Sequence, residues 1–444
     1  MDYIQHTQDD IGAMLDTVGA KSLEDLFDSI PESVRFKGAL DLPEAHSELE
    51  LARSLNKLAC ANAQAGGEYA CFLGGGCYDH FVPAVVDHMS SRGEFYTAYT
   101  PYQAEASQGT LQTIFEYQTC MCELTGMDIS NASHYDGGTA VTEAVITSSY
   151  YGRGRKKVVV SSALHPEHRQ IMRTYTEPLG LEIVEVPADG GITDAAKLKA
   201  QVDENTVCVV LQQPNFFGCI EDAQAISQAA HDAGALLVVS VDPVSLALLK
   251  PPGEYGADIA VGEGQPFGSY MSYGGPHFGF FTAKEKYLRK MPGRIIGQTV
   301  DEDGKRGFVM VLQTREQHIR REKATSNICT NHALMAMRGL VYLSSVGKKG
   351  LRQVAELCLQ KAHYAADRLK EKGVELAFDA PFFREFAVRC RKPAAQVISE
   401  LANVKLLAGP ALGLFYGDME DCLLVAVTEK NTKEEIDALV AALS

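Results

Sequence analysis

The chain predicts an α/β fold: a large domain on a mostly parallel sheet, then a smaller C-terminal α+β domain. Short β-branched and aliphatic runs alternate with amphipathic helical segments, the pattern of a parallel sheet covered on both faces. From about Asn331 the character changes to two long helices, a strand-rich stretch and a terminal helix. With 46% apolar and 22% charged residues over 444, the chain has the balance of a globular enzyme subunit and length enough for two domains.

In chain order, residues 1–75 predict a helical N-terminal arm, with Ser22-Leu-Glu-Asp25 as a capping-box start. The Gly-rich stretch Phe72–Pro83 lacks the Gly-Lys-Ser/Thr of a phosphate loop. Residues 76–330 form the predicted large domain. Its helices are expected at Gln108–Gly126, Thr139–Tyr151 and Ala223–Ala233. Its strands are expected at Val158–Ser161, Ile183–Val186, Val207–Leu211, Leu236–Val241 and Ile259–Val261. Residues 331–444 form the small domain, with helices at Asn331–Ser345, Leu351–Lys372 and Thr432–Leu443.

The net charge of −16 argues against nucleic acid and against an anionic membrane surface, leaving small molecules and other proteins as partners. No apolar run reaches the roughly 18 residues of a membrane span. The acidic N-terminal stretch, without an Arg-rich or signal-peptide pattern, predicts a cytoplasmic location. Eleven scattered Cys without a Cys-x-x-Cys pair read as reduced thiols, with no metal site expected.

The stretch from His231 to His277 carries the chemistry, or its absence. His231-x-x-Gly-Ala-Leu-Leu-Val-Val resembles the buried strand of fold type I pyridoxal-phosphate (PLP) enzymes. In that family an Asp at the strand end pairs with the pyridinium nitrogen, and a Lys past a later strand forms the Schiff base. Here Ser240 stands at the Asp position and Gln265–Pro266 at the Lys position, with no Lys between Lys250 and Lys284. Imine formation needs a primary amine, and an electron-sink cofactor needs a protonated ring nitrogen. The expectation is therefore no catalytic residue on this chain alone and no covalent PLP.

Two rescues stay open. Lys250 is a substitute amine, against its reading as a solvated loop Lys. Asp242 can still point inward, since i and i+2 share a strand face. Gly137, Gly138 and Thr139 open a helix whose N–H groups suit a phosphate, a vestigial phosphate loop; a merely capped helix start is the alternative. Pro214-Asn-Phe-Phe-Gly218 resembles the loop near the cofactor ring in such enzymes, and His165 reads as a structural loop His.

Longer strings extend the resemblance over nearly the whole chain, in order. They are Phe72-Leu-Gly with Tyr78-Asp-His80 and Val82-Pro83; Tyr99-Thr-Pro-Tyr-Gln-Ala-Glu-Ala-Ser-Gln-Gly109; Leu249-Lys-Pro-Pro-Gly-Glu-Tyr-Gly-Ala-Asp258; Tyr273-Gly-Gly-Pro-His277; Arg289-Lys-Met-Pro-Gly-Arg-Ile-Ile-Gly297; and Ala324-Thr-Ser-Asn-Ile-Cys-Thr330. Together they resemble the glycine decarboxylase (P-protein) family of the glycine cleavage system, in its alpha-subunit or subunit 1 form.

That resemblance implies a fold type I PLP-transferase architecture and PLP on the beta subunit. It implies decarboxylation of glycine by the pair, with the aminomethyl group passed to the lipoyl arm of an H-protein. It implies a two-plus-two heterotetramer with the beta subunit, and a homodimer-like substitute when the chain is alone. Tyr99, Tyr102 and Gln103 are the candidates for groups supplied in trans to the partner's site; Tyr273, His277 and Arg294 form a second set. Two other classes stay open: an independent PLP enzyme using an unexpected Lys, and a non-catalytic regulatory or scaffold homologue.

Overall fold

The computed structural model describes residues 6–99 and 101–444. Residues 1–5 of the predicted arm and Thr100 of the Tyr99–Gly109 string lie outside the described residues. The chain divides into two compact units, 1–62 and 63–444.

The first unit is a helical arm. Gln8–Val18 and Glu48–Ala59 are α-helices and Leu23–Phe27 is a 3-10 turn, each opened by a capping box on Thr7, Ser47 and Ser22 respectively. No described residue of this unit is buried.

Among the described residues the second unit holds thirteen strands. They are β1 (Ala70–Leu73), β2 (Ile129–Ser130), β3 (Lys157–Ser161), β4 (Glu182–Val186), β5 (Thr206–Gln213), β6 (Leu236–Val241), β7 (Ile259–Glu263), β8 (Gly279–Ala283), β9 (Ile295–Val300), β10 (Arg306–Val311), β11 (Glu385–Arg389), β12 (Leu406–Gly409) and β13 (Cys422–Ala426). The main sheet runs β2-β8-β7-β6-β5-β3-β4. Strands β4, β3, β5, β6 and β7 are parallel, and β8 and β2 close one edge antiparallel.

Alternation along these strands divides two cores. Val158, Val160, Cys208 and Val210 face the helix Gly137–Tyr151 through Ala140, Val141, Ala144 and Val145. Val159, Val209, Leu211 and Val239 face Tyr117, Ile226 and Leu340 on the opposite side. Valine-rich runs buried on both faces are what a sheet covered by helices on each side requires.

The C-terminal α+β layer pairs β11 with β13 antiparallel and β1 with β12 parallel. The domain boundaries drawn from sequence differ from this arrangement at two places. Residues 70–73 pair with β12 and bury Phe72 in the C-terminal core, so the arm unit ends at Asn62 and not at residue 75. The helix Ala333–Glu371 lies wholly within the predicted small domain, yet its first half packs on the main sheet. Leu340 and Tyr342 belong to the main-sheet core, Ala362 to Leu369 to the C-terminal one, with a non-helical Gly347 between. Both layers therefore share one unit. Among the described residues no helix is long and apolar enough to cross a membrane.

Candidate functional site

The C-terminal ends of parallel strands in an open α/β sheet form the crevice where ligands bind. Here β5 delivers Gln212, Pro214 and Asn215; β6 delivers Ser240 and Asp242; β7 delivers Glu263 and Pro266. The loop Gly74–Tyr78 and the start of β11, Arg384–Glu385, close over them. The remaining cavity is about 50 Å³.

Arg384 fills the middle. It is 1% exposed. Its guanidinium lies 3.8 Å from the Tyr78 ring centroid, and Nη2 is 2.6 Å from Asp242 Oδ2. Nη1 meets His80 Nε2, whose Nδ1 is 2.7 Å from Glu429 Oε2. Burial works against the charge on Arg384, but Asp242 and the surrounding acidic groups hold its pKa above the ordinary value. Burial also opposes the charge on Glu429, yet His80 brings its carboxyl down to about 2. Burial pushes Glu385 up to about 7; its oxygens accept from Gly75 N–H at 2.6 Å and the Tyr78 hydroxyl at 2.9 Å.

His80, Cys358 and Glu429 place ligand-type atoms within 4.8 Å of one another. With Arg384 against His80, a further cation there meets charge repulsion, and the cluster reads as a hydrogen-bonded network.

PLP does not fit this pocket. Pro266 lines it at the lysine position, and Ser240 stands at the ring-nitrogen position. Asp242 does point inward, as the strand-face argument allows, but it pairs with Arg384. Lys250 is exposed and is not part of the lining. A pocket for a cofactor of this size is about 300 Å³ or more, several times the space left. Gln265 is bound twice to the Tyr78 backbone, donating to its carbonyl at 2.9 Å and accepting its N–H at 3.0 Å. His165 bridges to the Gly75 carbonyl at 2.7 Å and stacks on His168, a structural position.

At the predicted phosphate loop, Asp136 caps the helix by accepting the Thr139 N–H at 2.7 Å, and Glu263 accepts the Gly137 N–H at 2.9 Å. Gly138 is buried in the same turn.

The candidates for action in trans separate into two groups. Tyr99 (86% exposed) and Gln103 point outward, as does Tyr273 at 90% exposed; His277 bonds the Met271 carbonyl at 3.1 Å. Tyr102 and Arg294, placed in different sets by sequence, come together: Arg294 Nη2 donates to the Tyr102 hydroxyl at 2.7 Å, and Glu316 lies 3.9 Å from Arg294 Nε. Tyr102, Glu316, His318, Arg321 and Ser326 line an open cavity of about 590 Å³. Behind Ser326 sits Glu143, buried, with one oxygen bonded to the Ser326 hydroxyl at 2.7 Å. Sequence reading missed Arg384, Glu385 and Glu263. The one available signal was a charged pair in the apolar run Phe382-Phe-Arg-Glu-Phe386.

The glycine cleavage system P-protein family matches residues 1–443. The chain is 53% identical over 443 residues to the probable glycine dehydrogenase (decarboxylating) subunit 1 of Carboxydothermus hydrogenoformans, covering 100% of this chain and 99% of that one. It is 52% identical over 441 residues to the protein of the same description from Geobacillus kaustophilus, covering 99% and 98%. Among solved structures it is similar to a glycine decarboxylase (P-protein) of the glycine cleavage system in inhibitor-bound form, with TM-score 0.92, 46% identity and coverage of 100% and 99%. A C-DES mutant with glycine covalently linked to its PLP cofactor shares the fold alone, at TM-score 0.61, 16% identity and coverage of 85% and 96%. A fold type I sheet whose cofactor crevice is closed, matched end to end by these relatives, leads to one conclusion: the chain belongs to the glycine cleavage system P-protein family.

Proposed function

We propose that this chain is the subunit of a glycine dehydrogenase (decarboxylating) that does not itself hold PLP. Its partner, the beta subunit, carries the cofactor on a lysine, and the two assemble as a two-plus-two heterotetramer. The pair decarboxylates glycine and passes the aminomethyl group to the lipoyl arm of an H-protein, whose disulfide is reduced in the transfer. The observation that carries this reading is the contrast between two cavities. The chain's own crevice is closed by Arg384 with Pro266 at the lysine position, while an open cavity of about 590 Å³ sits beside Tyr102 and Arg294.

In this reading the chain's residues bind and position. The Arg294 guanidinium fixes the Tyr102 hydroxyl, and the exposed Tyr99 and Gln103 extend the same strip toward the partner's site. The test uses the chain co-expressed with its partner. Borohydride reduction and peptide mapping place pyridoxyl-lysine on the partner, and glycine–CO2 carboxyl exchange requires both chains. A pyridoxyl-lysine at Lys250, or exchange by this chain alone, overturns the proposal in favour of an independent PLP enzyme. A chain that assembles with no decarboxylase partner favours the scaffold reading.

A further inference from the structure

The 15-residue helix Gly137–Tyr151 begins at the edge of the closed crevice. The first N–H groups of a helix have no partner within it, and with the helix dipole they favour an anion. Glu263, at the end of β7, reaches this point from the neighbouring sheet. Its Oε2 accepts the Gly137 N–H at 2.9 Å and its Oε1 accepts the Gln265 N–H at 3.0 Å. The approach is close: a Cβ on Gly137 would lie 3.1 Å from the Glu263 Cβ, inside ordinary contact.

A separate observation comes from the other end of the crevice. Arg384 lies flat against Tyr78, pairs with Asp242, and keeps its Nε without a hydrogen-bond partner among the described residues. The space left, about 50 Å³, holds a water molecule or two, at roughly 30 Å³ each.

We propose that this pocket is liganded by the protein itself: Glu263 stands where a phosphate monoester would sit at the helix start, and the Arg384–Asp242 pair stands where a planar ring would lie over Tyr78. A latent phosphate site therefore lies under the Glu263 side chain. An attached carboxyl meets the helix start at an effective concentration no dissolved phosphate matches, so the intact chain ignores phosphate. Asp136 at the same helix start repels a second anion, so the uncovered site is a weak one.

The test compares melting temperatures of the full-length chain in chloride and in phosphate at matched pH and ionic strength, with PLP as a second probe. The unaltered chain is expected to melt at the same temperature in all three. Glu263→Ala is expected to melt lower in chloride and to recover by about 2–4 °C in about 50 mM phosphate, through binding to the folded state only. Glu263→Asp, which withdraws the carboxyl by one methylene, is the second variant and is expected to respond in the same direction if the alanine variant does not fold. Stabilisation of the unaltered chain by phosphate or PLP overturns the proposal. So does a folded variant that melts identically in phosphate and chloride. These measurements use neither turnover nor the partner subunit, so they stand or fall apart from the function proposed above.

Discussion

A guanidinium removed from water must be matched, and Arg384 is matched by the Asp242 carboxylate, the His80 ring and the face of Tyr78. Removing one member strands the other. Arg384→Met is expected to destabilise the chain by about 3–5 kcal/mol, whereas adding Asp242→Asn should cost less than the sum of the two single changes. A urea-denaturation cycle reads this directly, and strictly additive costs would show that the pair is not coupled. Glu143 makes a pH prediction. Burial pushes its carboxyl up to about 7. With the folded pKa above the unfolded value of about 4.3, its contribution is fully present below that value and is lost as pH rises through the folded one. Glu143→Gln should therefore flatten the stability slope between about pH 5 and 8 by on the order of 2 kcal/mol; parallel slopes for the two proteins would count against it. In the proposed function Tyr102 belongs to the strip offered to the partner's site. Tyr102→Phe leaves the buried Arg294 without its hydroxyl partner, and should lower glycine decarboxylation by the intact two-subunit complex about ten- to a hundredfold. Unchanged turnover in verified complexes would remove this residue from the proposed strip.

At the level of elements, the parallel strands were legible because burial on both faces leaves an unbroken apolar run. Leu236–Val241 coincides with β6, and the expected β3, β4, β5 and β7 lie inside the observed ones. Strand β1 was read as the end of the helical arm running into a Gly-rich loop from Phe72, since its partner β12 lies at the far end of the chain. The β9–β10 hairpin and antiparallel β8 were also missed: β9 and β10 are largely unburied and carry Gly, Gln, Thr and Arg among their apolar residues, and β8 carries glycine and threonine. The missing Lys and Asp were plain in the sequence, but what replaced them was not. Tyr78 and Glu385 meet across 307 residues of chain, and a charged pair opening a strand gives no local sign of burial. The loop ending at Gly218 supplies an element-scale prediction. Gly218 has φ +84°, and a Cβ there would fall 1.8 Å from the Glu385 carbonyl oxygen. Gly218→Ala should cost about 3 kcal/mol or more, by backbone strain plus collision with β11. A thermal melt with less than about 1 kcal/mol lost would mean that the loop and strand move apart freely.

For the whole molecule, the arm stands out. Leu23, Phe27, Phe36, Leu40, Leu55 and Leu58 are all exposed in a unit with no buried described residue. Apolar surface on that scale marks an interaction surface. Deleting residues 1–62 should leave 63–444 folded around its own cores, yet abolish co-purification with the partner subunit on size-exclusion chromatography. A truncated chain that still elutes with its partner would locate the assembly surface elsewhere. The self-filled crevice has a historical consequence as well. Replacing Pro266 with Lys would set an ammonium in a pocket already lined by Arg384, and like charges at that range disfavour each other. Clearing Arg384 first strands Asp242, and clearing Glu263 first leaves helix N–H groups unanswered. Every single step toward an open, lysine-bearing crevice is therefore expected to pass through a less stable protein. Under the proposed division of labour the closed crevice acts as a ratchet: no single substitution opens it without first costing stability.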